Sequence, residues 1–211
     1  MRRLPVYLVL DVSGSMMGEP IEAVRNGVQL LASTLRSDPY ALETAFLSVI
    51  TFDEEAKQVV PLTELTNFQP PTIEAGTTTS LGEALRVTKE CIEREVQTTT
   101  SNARGDWKPL VFIMTDGMPT DDWQAGLAEF QKANTGMVIA CGAGSAVDTS
   151  ILKQITPTVV TLDTADSASI QAFFKWVSAS VSTTSQKIDL EKSESVSPGE
   201  LPPPPPQINM V

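Results

Sequence analysis

The sequence predicts an α/β fold: a doubly wound, mostly parallel six-stranded sheet with helices on both faces and one antiparallel edge strand. Three observations predict it. Short apolar runs alternate with longer segments whose apolar residues recur at helical spacing. The runs Leu4 to Leu10 and Leu110 to Met114 are apolar throughout, as in strands buried on both faces. Strands separated by helix-length connections pair in parallel through crossovers.

Each element has its own local reason. Leu4 to Leu10 forms the first strand. Ile21, Val24, Val28, Leu31 and Leu35 make the apolar stripe of a first helix, and Pro20 suits its opening turn. Ala45 to Phe52 reads as a strand, and Lys57 to Leu62 as its hairpin partner across the acidic turn Asp53-Glu54-Glu55. Leu81 to Val96 is helical, and Leu110 to Met114 is the next buried strand. Thr120 is positioned to cap a further helix, with Asp121 and Asp122 in its first turn where carboxylates suit the dipole. Met137 to Cys141 and Thr158 to Leu162 complete six strands, and Ser169 to Ser182 is a last amphipathic helix. The composition then changes. Residues 183–200 are polar without a helical stripe, and Pro202 to Pro206 form an unbroken proline run suited to polyproline II. The expected organisation is one domain over residues 1–182 and a flexible, proline-rich tail over 183–211, serving as a spacer or a docking peptide.

Composition excludes several function classes. The chain has 211 residues, enough for one α/β core. Its formal net charge is −11 and it has no Lys/Arg run, so a nucleic-acid partner is not expected. There is no histidine, which removes the commonest general base, the Ser/His and Cys/His nucleophile pairs and most zinc sites. Cys91 and Cys141 are expected as buried thiols in a reducing, cytoplasmic setting. No stretch approaches the length needed to cross a bilayer, and the N-terminal apolar run lacks a cleavage site.

The chemistry gathers at strand ends. The first strand finishes in Asp11-Val-Ser13-Gly14-Ser15. An Asp and two hydroxyls at alternate positions converge if the chain turns sharply, and Gly14 permits that turn. Oxygen ligands alone select a hard cation: magnesium, calcium or manganese. The competing reading has both serines capping the next helix. Two further segments favour the ion. Thr115-Asp116-Gly117 ends a second central strand, and Gly76-Thr77-Thr78-Thr79-Ser80 is a hydroxyl-rich loop on the same side. Ligands of such sheets bind at the carboxyl ends of the strands.

This ordered set resembles the metal-ion-dependent adhesion site of von Willebrand factor A domains, over about residues 4–182. The resemblance implies that Ser13 and Ser15 touch one divalent ion directly. It implies that Thr79 and Asp116 bind directly or through water, and that Asp11 binds through water. Thr79 fits the family spacing, with Gly82 three residues on and Leu85 six; Thr78 is the alternative, and Thr77 and Thr78 stand where the family often has two glycines. It implies magnesium first, with calcium or manganese also compatible. It further implies a protein partner that supplies a Glu or Asp to the metal, and a binding module rather than an enzyme. Residues 10–21, 115–123, 139–144 and 173–180 are similar to bacterial tellurite-resistance proteins of the TerY type. That implies a cytoplasmic stress-response protein acting as a scaffold beside a kinase and a phosphatase.

Other signals rank lower. Cys141-Gly-Ala-Gly144-Ser-Ala-Val147 approaches a dinucleotide turn, but Val147 replaces the third glycine; a tight turn before a helix near Asp148 is expected. A magnesium-dependent phosphotransfer or hydrolytic enzyme using Asp11 as nucleophile would need a second Asp where Ser13 stands. Asp53, Glu54, Glu55, Asp121 and Asp122 are candidates either to rim the metal face for a basic partner or to serve as caps and a solvated turn. Trp107, in a polar stretch, is a candidate surface anchor, and Trp176 is expected in the core.

Overall fold

A computed structural model of the chain describes residues 2–191 and 198–211. Strand β1 (Leu4–Asp11) is buried at every position and pairs in parallel on both edges, with β2 (Ala45–Phe52) and with β4 (Leu110–Thr115). Beyond β2 lies β3 (Ala56–Glu64), which is antiparallel. Beyond β4 lie β5 (Met137–Ala143) and β6 (Val159–Leu162), both parallel. A short β7 (Ile208–Met210) closes that edge antiparallel to β6. The order is therefore β3-β2-β1-β4-β5-β6-β7.

Side chains alternate across the sheet, as the pleat requires. Leu4, Val6, Leu8 and Leu10 of β1 face one apolar layer, shared with α1 (Glu19–Arg36), α2 (Pro39–Thr44) and α6 (Ser167–Glu191). Tyr7 and Val9 face the other, shared with α3 (Leu81–Glu95), α4 (Trp123–Phe130) and α5 (Thr149–Ile155). β1 hands on to β2 at one side and has β4 at the other, so the gap between the ends of β1 and β4 is the topological switch point.

The expected doubly wound sheet with an antiparallel hairpin edge is present, and five details differ. There are seven strands, because residues 208–210 pair with β6. The last helix runs past Ser182 to Glu191, and the segment expected as a tail from residue 183 thus supplies a helical end and an edge strand. Hydroxyls on this stretch bond backward along the helix, Ser180 to Trp176 O and Thr184 to Ser180 O, so polar residues there do not stop it. α2 was not foreseen; Asp38 caps it by accepting from the amides of Tyr40 and Ala41. Thr120 does not cap α4, because Asp122 does so by accepting from Ala125 N. Trp107 is buried with Arg2 stacked 3.7 Å over its ring, so it is not a surface anchor. Cys91 and Cys141 are buried free thiols, as expected.

Helices α3 and α4 approach at two glycines: a Cβ on Gly126 would run into the backbone of Gly82. Gly126→Ala is therefore expected to lower stability by about 1–3 kcal/mol in urea unfolding. Gln124→Ala, on the exposed side of the same helix, should change it by less than about 0.5 kcal/mol.

Candidate metal centre

The site is assembled where β1 and β4 end. Asp11 is the last residue of β1 and is 0% exposed. Its Oδ1 accepts the Ser13 amide at 2.8 Å, which bends the chain back over the strand end. Its Oδ2 accepts the Thr115 hydroxyl at 2.5 Å, which ties the tip of β1 to the tip of β4. A single 3-10 turn, Gly14–Met16, follows. Gly14 N donates to Thr77 O at 3.2 Å, and a Cβ on Gly14 would lie 3.1 Å from that oxygen. Its glycine thus serves close approach to the middle loop.

Neither serine is spent as a helix cap. Ser13 precedes the 3-10 turn with no side-chain cap hydrogen bond, and the N-cap of α1 is Gly18, not a serine. The two hydroxyls lie 3.1 Å apart, and Ser15 Oγ donates to Asp116 Oδ1 at 2.6 Å. Ser13 is buried and Ser15 is exposed, so the group opens to solvent through Ser15.

The middle loop supplies Thr79. Its amide donates to Thr120 Oγ1 at 3.1 Å and its carbonyl accepts Thr120 N at 2.9 Å. This two-point clasp fixes Thr79 against the loop that follows β4. A Cβ on Gly117 would lie 3.4 Å from Thr79 Oγ1 and 3.9 Å from Ser15 Oγ, so both hydroxyls face the Asp116-Gly117 turn. Thr79 is buried, whereas Thr78 is exposed. The structure therefore brings Asp11, Ser13, Ser15, Thr79 and Asp116 to one place and leaves Thr78 outside.

The sequence left Thr115 without a role and gave Thr120 a different one, as a helix cap. Thr115 stands inside the quoted Thr115-Asp116-Gly117 motif, but its hydroxyl's partner is 104 residues away. Asp121, a candidate for the rim, instead caps α3 by accepting from the amides of Gly82 and Glu83 at 3.0 and 2.9 Å. Asp53 and Glu54 brace the middle loop through their carbonyls, which accept Ser80 N and Ser80 Oγ.

The electrostatics suit a cation. Burial pushes the Asp11 carboxyl above its ordinary range, opposed by the Ser13 and Thr115 hydrogen bonds and reinforced by Asp116. Burial also raises Asp116, opposed by Ser15. A bound cation would relieve both. Among the described residues no three His, Cys, Asp or Glu side chains gather to hold a metal. Two carboxylates and three hydroxyls form an oxygen-only donor set, which fits a hard divalent ion.

The model of the von Willebrand factor type A domain matches residues 6–176. No curated protein sequence matches the chain significantly. Among solved structures, proximal thread matrix protein 1 from the mussel byssus, in a form with a zinc-occupied MIDAS motif, is 20% identical with a TM-score of 0.60; the match covers 84% of this chain and 48% of that one. The pilus adhesin SpaC from Lactobacillus rhamnosus GG is 18% identical with a TM-score of 0.68, covering 87% and 30%. The ArnB paralog VWA2 from Sulfolobus acidocaldarius is 15% identical with a TM-score of 0.56, covering 85% and 45%. The chain thus spans half or less of each neighbour, and at these identities the likeness is one of fold. The family-model match covers most of the chain, and the chain belongs to the von Willebrand factor type A domain family.

Proposed function

We propose that this chain is a metal-ion-dependent protein-interaction module. The observation that carries the reading is the contact of Ser13, Ser15 and Asp116 hydroxyl and carboxyl oxygens across the switch point, at 3.1 and 2.6 Å. Ser13, Ser15, Thr79 and Asp116 would hold one divalent ion, with Asp11 behind them orienting Ser13 and acting through water. Magnesium is the ion we assign, with calcium and manganese as the compatible alternatives; the zinc of the mussel protein shows that a MIDAS motif also accepts a softer ion. An ion held mainly by neutral hydroxyls keeps much of its charge. It therefore draws a further anionic ligand, and a Glu or Asp of a protein partner supplies it in a charge-assisted contact.

The site supports binding rather than catalysis. Both Asp11 oxygens are engaged and the side chain is shielded from solvent, so it is not placed as a phosphoryl-accepting nucleophile. Among the described residues no helix is long and apolar enough to cross a membrane. The wider setting we propose is a cytoplasmic scaffold in bacterial tellurite resistance or stress response, working beside a kinase and a phosphatase. Its support is the resemblance of residues 10–21, 115–123, 139–144 and 173–180 to proteins of that type.

Calorimetric titration of metal-stripped protein should show one divalent ion per chain. Ser13→Ala and Asp116→Ala should each weaken it at least tenfold with an unchanged circular dichroism spectrum; full-strength binding by both variants would sink the reading. The same titration carries a pH signature. The ion needs ionised carboxyls, and burial raises Asp11 and Asp116, so protons compete at a higher pH than for an ordinary carboxylate. Affinity should fall as pH is lowered, beginning at a higher pH than ordinary carboxylates would set.

A further inference from the structure

The metal face makes no use of the proline run or of the residues after it, yet these are docked on the domain. Leu201 packs against the apolar layer under α6. Trp176 Nε1 donates to Pro202 O at 2.9 Å. Pro202 and Pro205 are half-buried, while Pro203 and Pro206 are exposed. That is the three-residue period of an extended proline segment laid along a surface. Pro205 and Gln207 close a cleft with Ala168, Gln171, Ala172 and Lys175 of α6. Ile208 N then turns back onto Pro205 O at 2.9 Å, and β7 pairs with Val160, Thr161 and Leu162 of β6. Ile208 is 4% exposed, whereas its neighbours Asn209 and Met210 are exposed. Asn209 Nδ2 donates to Asp163 Oδ1 at 3.1 Å, and Val211 N to Val159 O at 3.0 Å.

Two modes of peptide recognition are combined here. One lays a proline run beside an aromatic donor; the other adds a strand to an open sheet edge. Both take extended peptides and need no prior fold in the ligand. The segment is held by one buried side chain, a short ladder, an indole bond, the packing of Leu201 and the Asn209–Asp163 bond. Contacts of this extent hold a tethered segment, whose effective concentration is about millimolar. The peptide whose chemistry fits this surface is the chain's own, so the matching partner is the same segment of a second copy.

We propose that the β6 edge and the α6 surface around Trp176 form a peptide-binding site, filled in cis by residues Leu201–Val211, which accepts the same segment in trans from a second copy of this chain.

The test uses the full chain carrying Ile208→Asp, which removes the buried anchor from the tethered segment and leaves the receiving surface intact. A dye-labelled peptide of residues 201–211 is titrated and followed by fluorescence anisotropy. The peptide should bind this variant at least tenfold more tightly than the wild-type chain, whose site is filled. A peptide with the same Ile208→Asp change should bind neither. Near-ultraviolet circular dichroism reports that the variant is folded. Ile208→Ser provides a second opened chain, since it removes the same buried anchor without adding a charge. Equal binding of the wild-type and altered peptides to both opened chains would overturn the proposal.

Discussion

Asp11 ends a strand in which every residue is buried, and its own carboxyl is shut off from solvent. A carboxylate left there without partners would cost several kcal/mol. It is held by the Ser13 amide on one oxygen and the Thr115 hydroxyl on the other. The first bond sets the direction of the loop after β1. The second joins the tips of the two central strands on either side of the switch point. Once those tips are fixed, Ser15 meets Asp116, Gly14 meets Thr77 and the middle loop is brought over the same spot. The site is thus a consequence of how one buried carboxyl is satisfied.

The acidic residues divide into two sets by environment. Asp148 and Asp166 accept hydrogen bonds from hydroxyls and amides at helix starts, and those bonds hold their carboxyls below the ordinary range. Asp122 is the N-cap of α4, and Asp121 reaches from the same loop to the first amides of α3. Asp11 and Asp116 go the other way, pushed up by burial. The first set stabilises helix ends with its charge. The second set is held at the strand ends by hydrogen bonds that oppose the effect of burial. A net charge of −11 therefore says little by itself; position decides what each carboxylate does.

The sheet deals with its two edges in related ways. Its parallel centre, β2 to β6, is bounded by antiparallel strands on both sides. β3 alternates between half-buried and exposed positions, and carries Lys57 and Pro61, both of which blunt an open edge. β7 covers the other edge with only three residues taken from the far end of the chain. One edge is closed by a local hairpin, and the other by a distant segment whose hold depends on Ile208 and Trp176.

The sequence by itself determined the α/β class, the central strands and the place of the site. Unbroken apolar runs of strand length read as strands buried on both faces, and in a parallel sheet the polar residues that follow them lie at its carboxyl edge. That Asp11, Ser13, Ser15 and Asp116 would lie together was legible for that reason, and the hydroxyl-rich loop offered Thr79 or Thr78 beside them. Tertiary structure separates those two: the Thr120 clasp, 41 residues from Thr79, buries Thr79, while Thr78 stays exposed. It decided that Thr115 holds Asp11 and that Asp121 caps α3, since each bond joins residues far apart in the chain. It turned Trp107 inward beneath Arg2. It also carried the last helix to Glu191 and made a strand of residues 208–210, where only Ile208 is buried and no local pattern exists. Periodicity records which face of an element is apolar; it does not record which distant polar group will be there to meet an amide or a hydroxyl.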